Sequence, residues 1–171
     1  MLIKCQLRSY YSCSRTHKIL KEDDGDIAGA ADVLQEVHVE TYGSIAKVEK
    51  IEFILEQIRL TLGKQDYVRA YIVANKISKK HLAEENMQAF KVRYYELMAE
   101  YHRHEKDPFQ LAKDYHAIYS TPEVLSDDEK WRAALTSAVL FLSLSPYGMD
   151  QQQMLHLIEA DSNLKKLPAS Q

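Results

Sequence analysis

The feature that most constrains this chain is a helical pattern of apolar residues that recurs three times, about forty residues apart. In each copy, apolar side chains stand at positions i, i+4, i+7 and i+11, which share one face of an α-helix. The three copies of this first-helix pattern are Ile51, Leu55, Ile58 and Leu62; Phe90, Tyr94, Leu97 and Tyr101; and Trp131, Leu135, Ala138 and Leu142. A helix that cannot bury such a stripe alone must stack on similar helices, so the pattern predicts a helical-repeat solenoid.

A second pattern alternates with the first and begins with an aromatic or aliphatic residue that is followed three residues later by alanine. The three pairs are Ile27 and Ala30, Tyr67 and Ala70, and Phe109 and Ala112. A small residue at a helix contact lets the neighbouring helix approach closely. The alanine seam (Ala30, Ala70 and Ala112) therefore predicts a second helix in each repeat, packed antiparallel against the first.

Capping signals divide the chain into predicted helices near 26–40, 45–62, 66–80, 84–105, 108–119, 127–144 and 150–160. Asp107 before Pro108 predicts an N-cap with proline at the first helical position. Ser126, with Glu129 three residues later, predicts a capping box. Three glycines stand where a left-handed residue would end a helix: Gly43, Gly63 and Gly148.

Composition fits long helices joined by short loops, because hydrophobic residues make up 46% of the 171 residues and only five glycines and four prolines interrupt them. Residues 1–21 contain five of the 22 basic residues and none of the 25 acidic ones, so the rest of the chain carries a formal charge of −8. This balance argues against a nucleic-acid partner, which needs clustered cations. The longest apolar run, 133–144, is shorter than the roughly twenty residues that a bilayer requires, so no membrane partner is expected.

The basic N-terminal stretch 1–21 is unlike the remainder. It superficially fits an organelle transit peptide, but a fragment or gene-model edge that packs poorly is the favoured interpretation. Its two cysteines, Cys5 and Cys13, are the only ones in the chain and favour a reducing compartment. The predicted organisation is an atypical stretch or remnant helix at 1–21, a helical-repeat domain at 22–167 and a tail at 168–171.

The search for chemistry centres on His102 and His104, which resemble the His-x-His pair of metal-dependent isopeptidases. Those enzymes place serine and aspartate downstream, where this chain has Ala112 and Tyr115, while Asp114 is one residue out of register. Residues i and i+2 of a helix also point about 200° apart and cannot share a metal. We interpret the pair as part of an exposed, cationic helix end that interacts favourably with the helix dipole.

The remaining candidates are also interpreted as structural. His116 stands at a seam-helix position and is predicted to be packed and hydrogen-bonded. Four tyrosines occupy positions of the two patterns, so helix packing is favoured over base stacking: Tyr67, Tyr94, Tyr101 and Tyr119. No catalytic, cofactor-binding or metal-ligating residue is predicted, and the chain is not expected to be an enzyme.

Six segments together resemble the PCI family, and within it the branch that holds the fifth non-ATPase subunit of the lid of the 26S proteasome regulatory particle. They are GDIAGAADVLQEVHVETYGS (25–44), KIEFILEQIRL (50–60), EENMQAFKVRYYELM (84–98), YHAIYSTPEV (115–124), SDDEKWRAALTSAVLFLSLSPYG (126–148) and MLHLIEADSNLKKL (154–167). The signalosome subunit at the matching place in its own complex fits these segments less well.

The resemblance implies an all-α, right-handed helical-repeat (TPR/PCI-like) arm, of which this chain is the middle, ending before the winged-helix module of the family. It also implies a non-catalytic scaffold that supports lid assembly in ubiquitin-dependent protein degradation, in the cytoplasm and nucleus. The implied partners are other lid subunits, with base or core subunits as further candidates, in a hetero-oligomeric complex. A free-standing peptide-binding repeat adaptor and a metal hydrolase at His102 are the alternatives. With neighbouring repeats missing, we expect open apolar seams and self-association of the isolated chain.

Overall fold

The fold is known from a computed structural model, which describes residues 26–35 and 46–167. Within these ranges every regular element is a helix, which confirms the all-α prediction. The α-helices are α1 (Ile27–Gln35), α2 (Lys47–Gly63), α3 (Tyr67–Ala74), α4 (Lys79–Leu82), α5 (Gln88–Glu105), α6 (Pro108–Tyr119), α7 (Pro122–Leu125), α8 (Asp128–Leu144) and α9 (Met149–Glu159), with 3₁₀ turns at Glu85–Met87 and Leu164–Lys166. The predictions for 1–21, Gly43 and 168–171 lie outside the described residues.

The chain forms two compact units, residues 1–82 and 83–171. In the first unit, α2 packs against both α1 and α3. In the second unit, α6 lies between α5 and α8 and packs extensively against both. Short loops join α2 to α3 and α5 to α6, and the helices of each pair pack on each other, as antiparallel pairs require. The right-handed stacking of pairs and the domain boundaries stay predictions.

Burial confirms the first-helix pattern. Phe90 and Tyr101 are partly buried, and the other ten positions are buried. Leu55 and Leu135, at the second position of their copies, have no exposed surface, and Tyr94 at the same position is 3% exposed. The stripes on α2, α5 and α8 therefore occupy equivalent places in the cores of their units.

The alanine seam is confirmed as well, because Ala30, Ala70 and Ala112 are each at most 1% exposed. A second small residue serves the contact between α1 and α2. A Cβ atom added to Gly63 would lie 3.2 Å from Cγ2 of Ile27, closer than side chains normally approach. Glycine at this position thus lets α1 pack closely against the end of α2.

The predicted role of Gly63 as a left-handed residue beyond the helix is therefore wrong. Gly63 is the last residue of α2, and the left-handed residue is Gln65, at φ 63°. Gly148 is also misassigned, since its extended backbone (φ −171°) forms the N-cap of α9 instead of ending α8. Lys106, at φ 56°, supplies the left-handed end of α5 without glycine.

Capping is predicted correctly at one of the two helix starts. Asp107 caps α6 by accepting hydrogen bonds from the backbone N–H groups of Phe109 and Gln110, both at 3.1 Å. At α8 the predicted cap Ser126 is wrong, because its hydroxyl donates to the Glu123 carbonyl at 2.7 Å and so belongs to the turn after α7. Asp127 caps α8 instead, and a hydrogen bond from the Lys130 side chain lowers the pKa of its carboxyl group.

The predicted helix 66–80 ends earlier than expected. After Ala74 the backbone N–H groups of Lys76 and Ile77 donate to carbonyls three residues back, at 3.1 Å each. This tighter turn directs Ile77 into the core, where it is 6% exposed. The predicted helix 84–105 likewise begins as α-helix only at Gln88, after the 3₁₀ turn. The helix therefore ends at Ala74, where the turn that buries Ile77 begins, although the helical spacing of apolar residues continues in the sequence.

The alanine seam predicts a sharp size limit at Ala112. We expect Ala112→Leu to lower the free energy of unfolding by about 1–3 kcal/mol, because the added atoms have no room between packed helices. The matched control is Ala89→Leu on α5, where the alanine is exposed and the change should stay within about 0.5 kcal/mol. Urea denaturation followed by circular dichroism measures both, and equal effects of the two substitutions would contradict the seam.

Candidate protein-interaction site

His102 and Asp114 form a largely buried pair between α5 and α6. His102 Nδ1 lies 2.6 Å from Asp114 Oδ2, and the two side chains are 14% and 7% exposed. The short turn at Lys106 and Asp107 reverses the chain, so that α6 packs antiparallel to α5. Residues twelve apart in sequence therefore come into contact. Since an aspartate oxygen accepts, the imidazole Nδ1 carries the proton of this hydrogen bond. The pair ties the two helices together.

This arrangement corrects the interpretation of His102 as part of an exposed cationic helix end. Only His104 fits that description, since its side chain is 49% exposed and pairs with the adjacent Glu105 at 3.2 Å. The two histidines point in different directions, as the helix geometry predicts. Among residues 26–35 and 46–167, no group of three or more His, Cys, Asp or Glu side chains is arranged to hold a metal ion.

The surroundings of the pair are aromatic and poorly solvated. The ring of Tyr101 meets the His102 ring edge-on, with centroids 5.2 Å apart. Burial raises the pKa of Tyr95, and the negative charge of Asp114 raises it further. The Tyr101 ring therefore packs within the protein, as the sequence predicts, and is not a platform for stacking nucleic-acid bases. The pairing of Asp114 could have been anticipated only by matching positions across the α5–α6 turn.

A second set of partly buried hydrogen bonds joins α6 to the segment that follows α9; we call this set and the His102–Asp114 pair the polar ties of the second unit. The hydroxyl of Tyr119, a buried side chain, donates to Asp161 Oδ2 at 2.5 Å and accepts from Asn163 Nδ2 at 3.0 Å. Burial raises the pKa of Tyr119, and the hydrogen bond to Asp161 acts in the same direction. Tyr119 thus packs as its pattern predicts, but no sequence pattern indicates its polar partners, Asp161 and Asn163. Both polar ties hold helices in place.

An open groove of about 370 Å³ runs between α6 and α9. Its walls are one face of each helix, and the lining residues are Phe109, Lys113, His116, Asp150, Gln153, Met154 and Leu157. Lys113 Nζ lies 4.1 Å from the centre of the Phe109 ring. Three of the seven lining residues are apolar and four are polar or charged, a mixture that suits a segment of another protein.

His116, predicted to be packed and hydrogen-bonded, lines this groove and is half-buried. Burial is the main reason that its pKa is lowered, with Asp161 opposing and Lys91 adding to the change. A lowered pKa favours the uncharged imidazole, which makes the groove wall less cationic at neutral pH. The residue thus contributes a polar but mostly neutral surface beside Phe109.

Large apolar side chains are exposed on both units. On α3, Val68, Tyr71 and Ile72 share one face and are 73%, 45% and 56% exposed. In the second unit, Leu140 and Leu144 on α8 are 55% and 65% exposed. Clustered exposed apolar groups are typical of protein-binding surfaces. No helix in the described ranges is long and apolar enough to cross a membrane.

Comparison with known proteins gives consistent matches. The family model described as "PSMD12/CSN4, N-terminal" matches residues 12–127. The chain is 41% identical over 152 residues to the 26S proteasome regulatory subunit RPN5 of Saccharomyces cerevisiae, covering 89% of this chain and 34% of that protein. It is 39% identical to the 26S proteasome non-ATPase regulatory subunit 12 homolog A of Arabidopsis thaliana, covering 87% and 39%, and 36% identical to the Dictyostelium discoideum subunit 12, covering 85% and 32%. The chain thus spans about a third of the length of these curated relatives.

The two histidines of α5 should differ in their effect on stability. We expect His102→Ala to lower the free energy of unfolding by about 1–3 kcal/mol, because a largely buried charge-assisted hydrogen bond is lost. His104→Ala is the matched control and should change it by less than about 0.5 kcal/mol, because its partner is half-exposed. Urea denaturation at pH 7 measures both, and a negligible effect of His102→Ala would show that the pair does not tie α5 to α6.

Proposed function

This chain belongs to the PSMD12/CSN4 family, and from that membership we propose that it is a non-catalytic structural scaffold of the lid of the 26S proteasome regulatory particle. In this role it supports lid assembly in ubiquitin-dependent protein degradation. The carrying observation is the family match over residues 12–127, together with relatives that are named as 26S proteasome regulatory subunits.

The use of polar side chains in the second unit supports a structural role. The His102–Asp114 pair joins α5 to α6, and the Tyr119 cluster joins α6 to the segment after α9. Both sets of polar groups therefore add directional contacts between helices that also pack through apolar side chains. A scaffold needs such fixed geometry, because its contribution is to hold binding surfaces at constant spacing.

The proposed partners are other lid subunits, with base and core subunits as further candidates, in a hetero-oligomeric complex of the cytoplasm and nucleus. The exposed apolar faces of α3 and α8 and the groove between α6 and α9 are the surfaces that could meet them. The formal charge of −3 supports protein partners over nucleic acid.

Two other functions have an observation in their favour. The family description also covers CSN4, which favours a signalosome-type PCI subunit as an alternative, although the relatives described above are proteasome subunits. The groove between α6 and α9 favours a peptide-binding adaptor, since it combines the apolar side chains of Phe109, Met154 and Leu157 with polar and charged ones.

Affinity isolation separates these functions. We expect a tagged form of the chain, produced in eukaryotic cells and analysed by native mass spectrometry, to co-isolate with proteasome lid subunits. A matched control carries Leu135→Asp, which places a charge at a position without exposed surface and should abolish co-isolation through loss of the fold. Recovery of signalosome subunits instead of lid subunits, or of peptides alone, would contradict the lid assignment.

Metal analysis tests the non-catalytic part of the proposal. We expect the purified chain to contain far less than one zinc ion per molecule, because among the described residues no group of three or more His, Cys, Asp or Glu side chains is arranged to hold a metal ion. His102→Ala provides the control, since its metal content should match that of the unaltered chain. One zinc ion per chain that disappears in the His102 variant would instead support the hydrolase alternative.

A further inference from the structure

The outward side of α3 is an apolar ridge on a firmly held helix. Val68, Tyr71 and Ile72 lie at positions i, i+3 and i+4, on one face of α3, and all three are exposed. On the other side of the helix, Ala70 and Ala74 are buried where α3 packs on α2. The buried alanines fix the rotation of α3, so the ridge meets a partner in one defined orientation.

Three exposed lysines follow the ridge along the chain: Lys76, Lys79 and Lys80. They are held in place by two buried residues, since Ile77 and Leu82 are 6% and 1% exposed and anchor the turn after α3 and the end of α4. We call the apolar ridge and these three lysines the α3–α4 surface. It combines apolar area with positive charge at one end.

The charge of this surface is opposite to that of the chain around it. Residues 67–82 contain four basic residues and no acidic one, whereas residues 22–66 and 83–171 contain 13 basic and 25 acidic residues. The fourth cation, Arg69, lies 3.5 Å from Asp66. Among the described residues, no acidic side chain forms an ion pair with Lys79 or Lys80. Their ammonium groups are therefore open to carboxylates of another molecule.

The form of the surface suits a helix as its occupant. A ridge with this spacing packs into the groove between apolar side chains of a second helix. Every regular element in the described ranges is a helix, so an extended peptide finds no strand edge there to extend. Carboxylates on the same occupant would then reach the lysines at the end of the ridge. The basic N-terminal stretch 1–21 has the same sign of charge and does not provide them.

Larger polyanions fit the surface less well. Nucleic acid or an anionic membrane spreads negative charge over an area wider than three lysines, so it also meets the acidic remainder of the chain. A short acidic helix covers the positive patch alone. The ridge favours the same occupant, because a phosphate backbone has no apolar side chains that could cover Val68 and Ile72.

We propose that the α3–α4 surface binds an acidic amphipathic helix of another protein. The apolar side chains of that helix lie on the ridge, and its carboxylates accept charge-assisted hydrogen bonds from the three lysines. Apolar burial supplies affinity, while the charges select the partner and set its direction. This inference rests on the protein-binding role in the proposed function and names the chemistry of one partner.

Two designed peptides test the surface with the complete chain. Both are helical, about sixteen residues long, and carry leucine at every third or fourth position; one has glutamate on its polar face and the other has lysine. Seven residues separate Ile72 from Lys79, at most about 25 Å of chain, and sixteen helical residues span about 24 Å, so one peptide reaches both. Fluorescence anisotropy should show the glutamate peptide binding at least tenfold more tightly. Equal affinities, or no saturable binding of the glutamate peptide, would overturn the proposal.

A charge reversal locates the binding. Lys79→Glu with Lys80→Glu should weaken the glutamate peptide by roughly tenfold or more and strengthen the lysine peptide. The matched control is Lys165→Glu with Lys166→Glu, an adjacent exposed pair in the second unit that changes the net charge equally and should alter affinity by less than about twofold. Equal losses in the two variants would overturn the proposal, because they would reflect the net charge alone.

The ridge is tested by removing its apolar groups. Val68→Ser with Ile72→Ser should weaken the glutamate peptide by roughly tenfold or more, whereas Leu140→Ser with Leu144→Ser, an exposed pair with the same spacing on α8, should not. Circular dichroism checks that both variants keep their helix content. Unchanged binding in the α3 variant would overturn the proposal, and so would tighter binding of phosphatidylserine vesicles or of single-stranded RNA than of the glutamate peptide.

Zero-length cross-linking asks whether the carboxylates belong to another protein. Carbodiimide treatment of the assembly isolated with the tagged chain joins an amine directly to a carboxylate in contact with it. We expect links from Lys79 or Lys80 to Asp or Glu of a second protein; links only within the same chain, or none, would overturn the proposal. Loss of lid co-isolation contradicts the proposed function, whereas loss of peptide binding with co-isolation intact contradicts this inference alone.

Discussion

Close approach of neighbouring helices at small residues is the constraint on which the rest of this structure depends. Ala70 and Ala112 let α3 and α6 lie against the apolar stripes of α2 and α5, and Gly63 admits Ile27 of α1. Larger residues at these points would hold the helices apart and leave the stripes hydrated. Burial of the first-helix pattern therefore follows from the seam, since a leucine stripe gains its roughly 1.5–3 kcal/mol per side chain only when a neighbouring helix covers it.

The polar ties in the second unit act within the geometry that the seam creates. His102 can meet Asp114 only because α5 and α6 lie in close contact, and Tyr119 reaches Asp161 because the end of α6 faces the segment after α9. Apolar packing alone is not directional and would tolerate small rotations of each helix. A hydrogen bond at a largely buried position fixes the rotation, which is the property that a scaffold requires.

The sequence was sufficient to predict the structural features that repeat along the chain, but it did not predict those that occur only once. Three copies of each pattern predicted the all-α class, the buried stripes and the alanine seam, because period and side-chain size report directly on helix packing. Single-residue signals were less reliable. Ser126 and Asp127 both suit an N-cap, and Gly63 and Gly148 both suit a helix end, so local preference could not decide between neighbours. The His102–Asp114 pair depends on how two helices are rotated, which no short-range pattern encodes.

The departure of α9 from the repeat pattern produces both open surfaces of the second unit. With Gln152 in place of alanine, α9 packs through Met154 and Ile158 on the core that contains Trp131 and Leu135, away from the outer side of α8. That position opens the groove beside α6 and leaves Leu140 and Leu144 uncovered. In the earlier copies the position of Leu140 is occupied by Leu60 and Ala99, which are buried inside their own units, whereas the position of Leu144 is occupied by the cations Lys64 and Arg103. The loss of the alanine at this seam position thus coincides with an α8 face that the described part of the second unit leaves exposed.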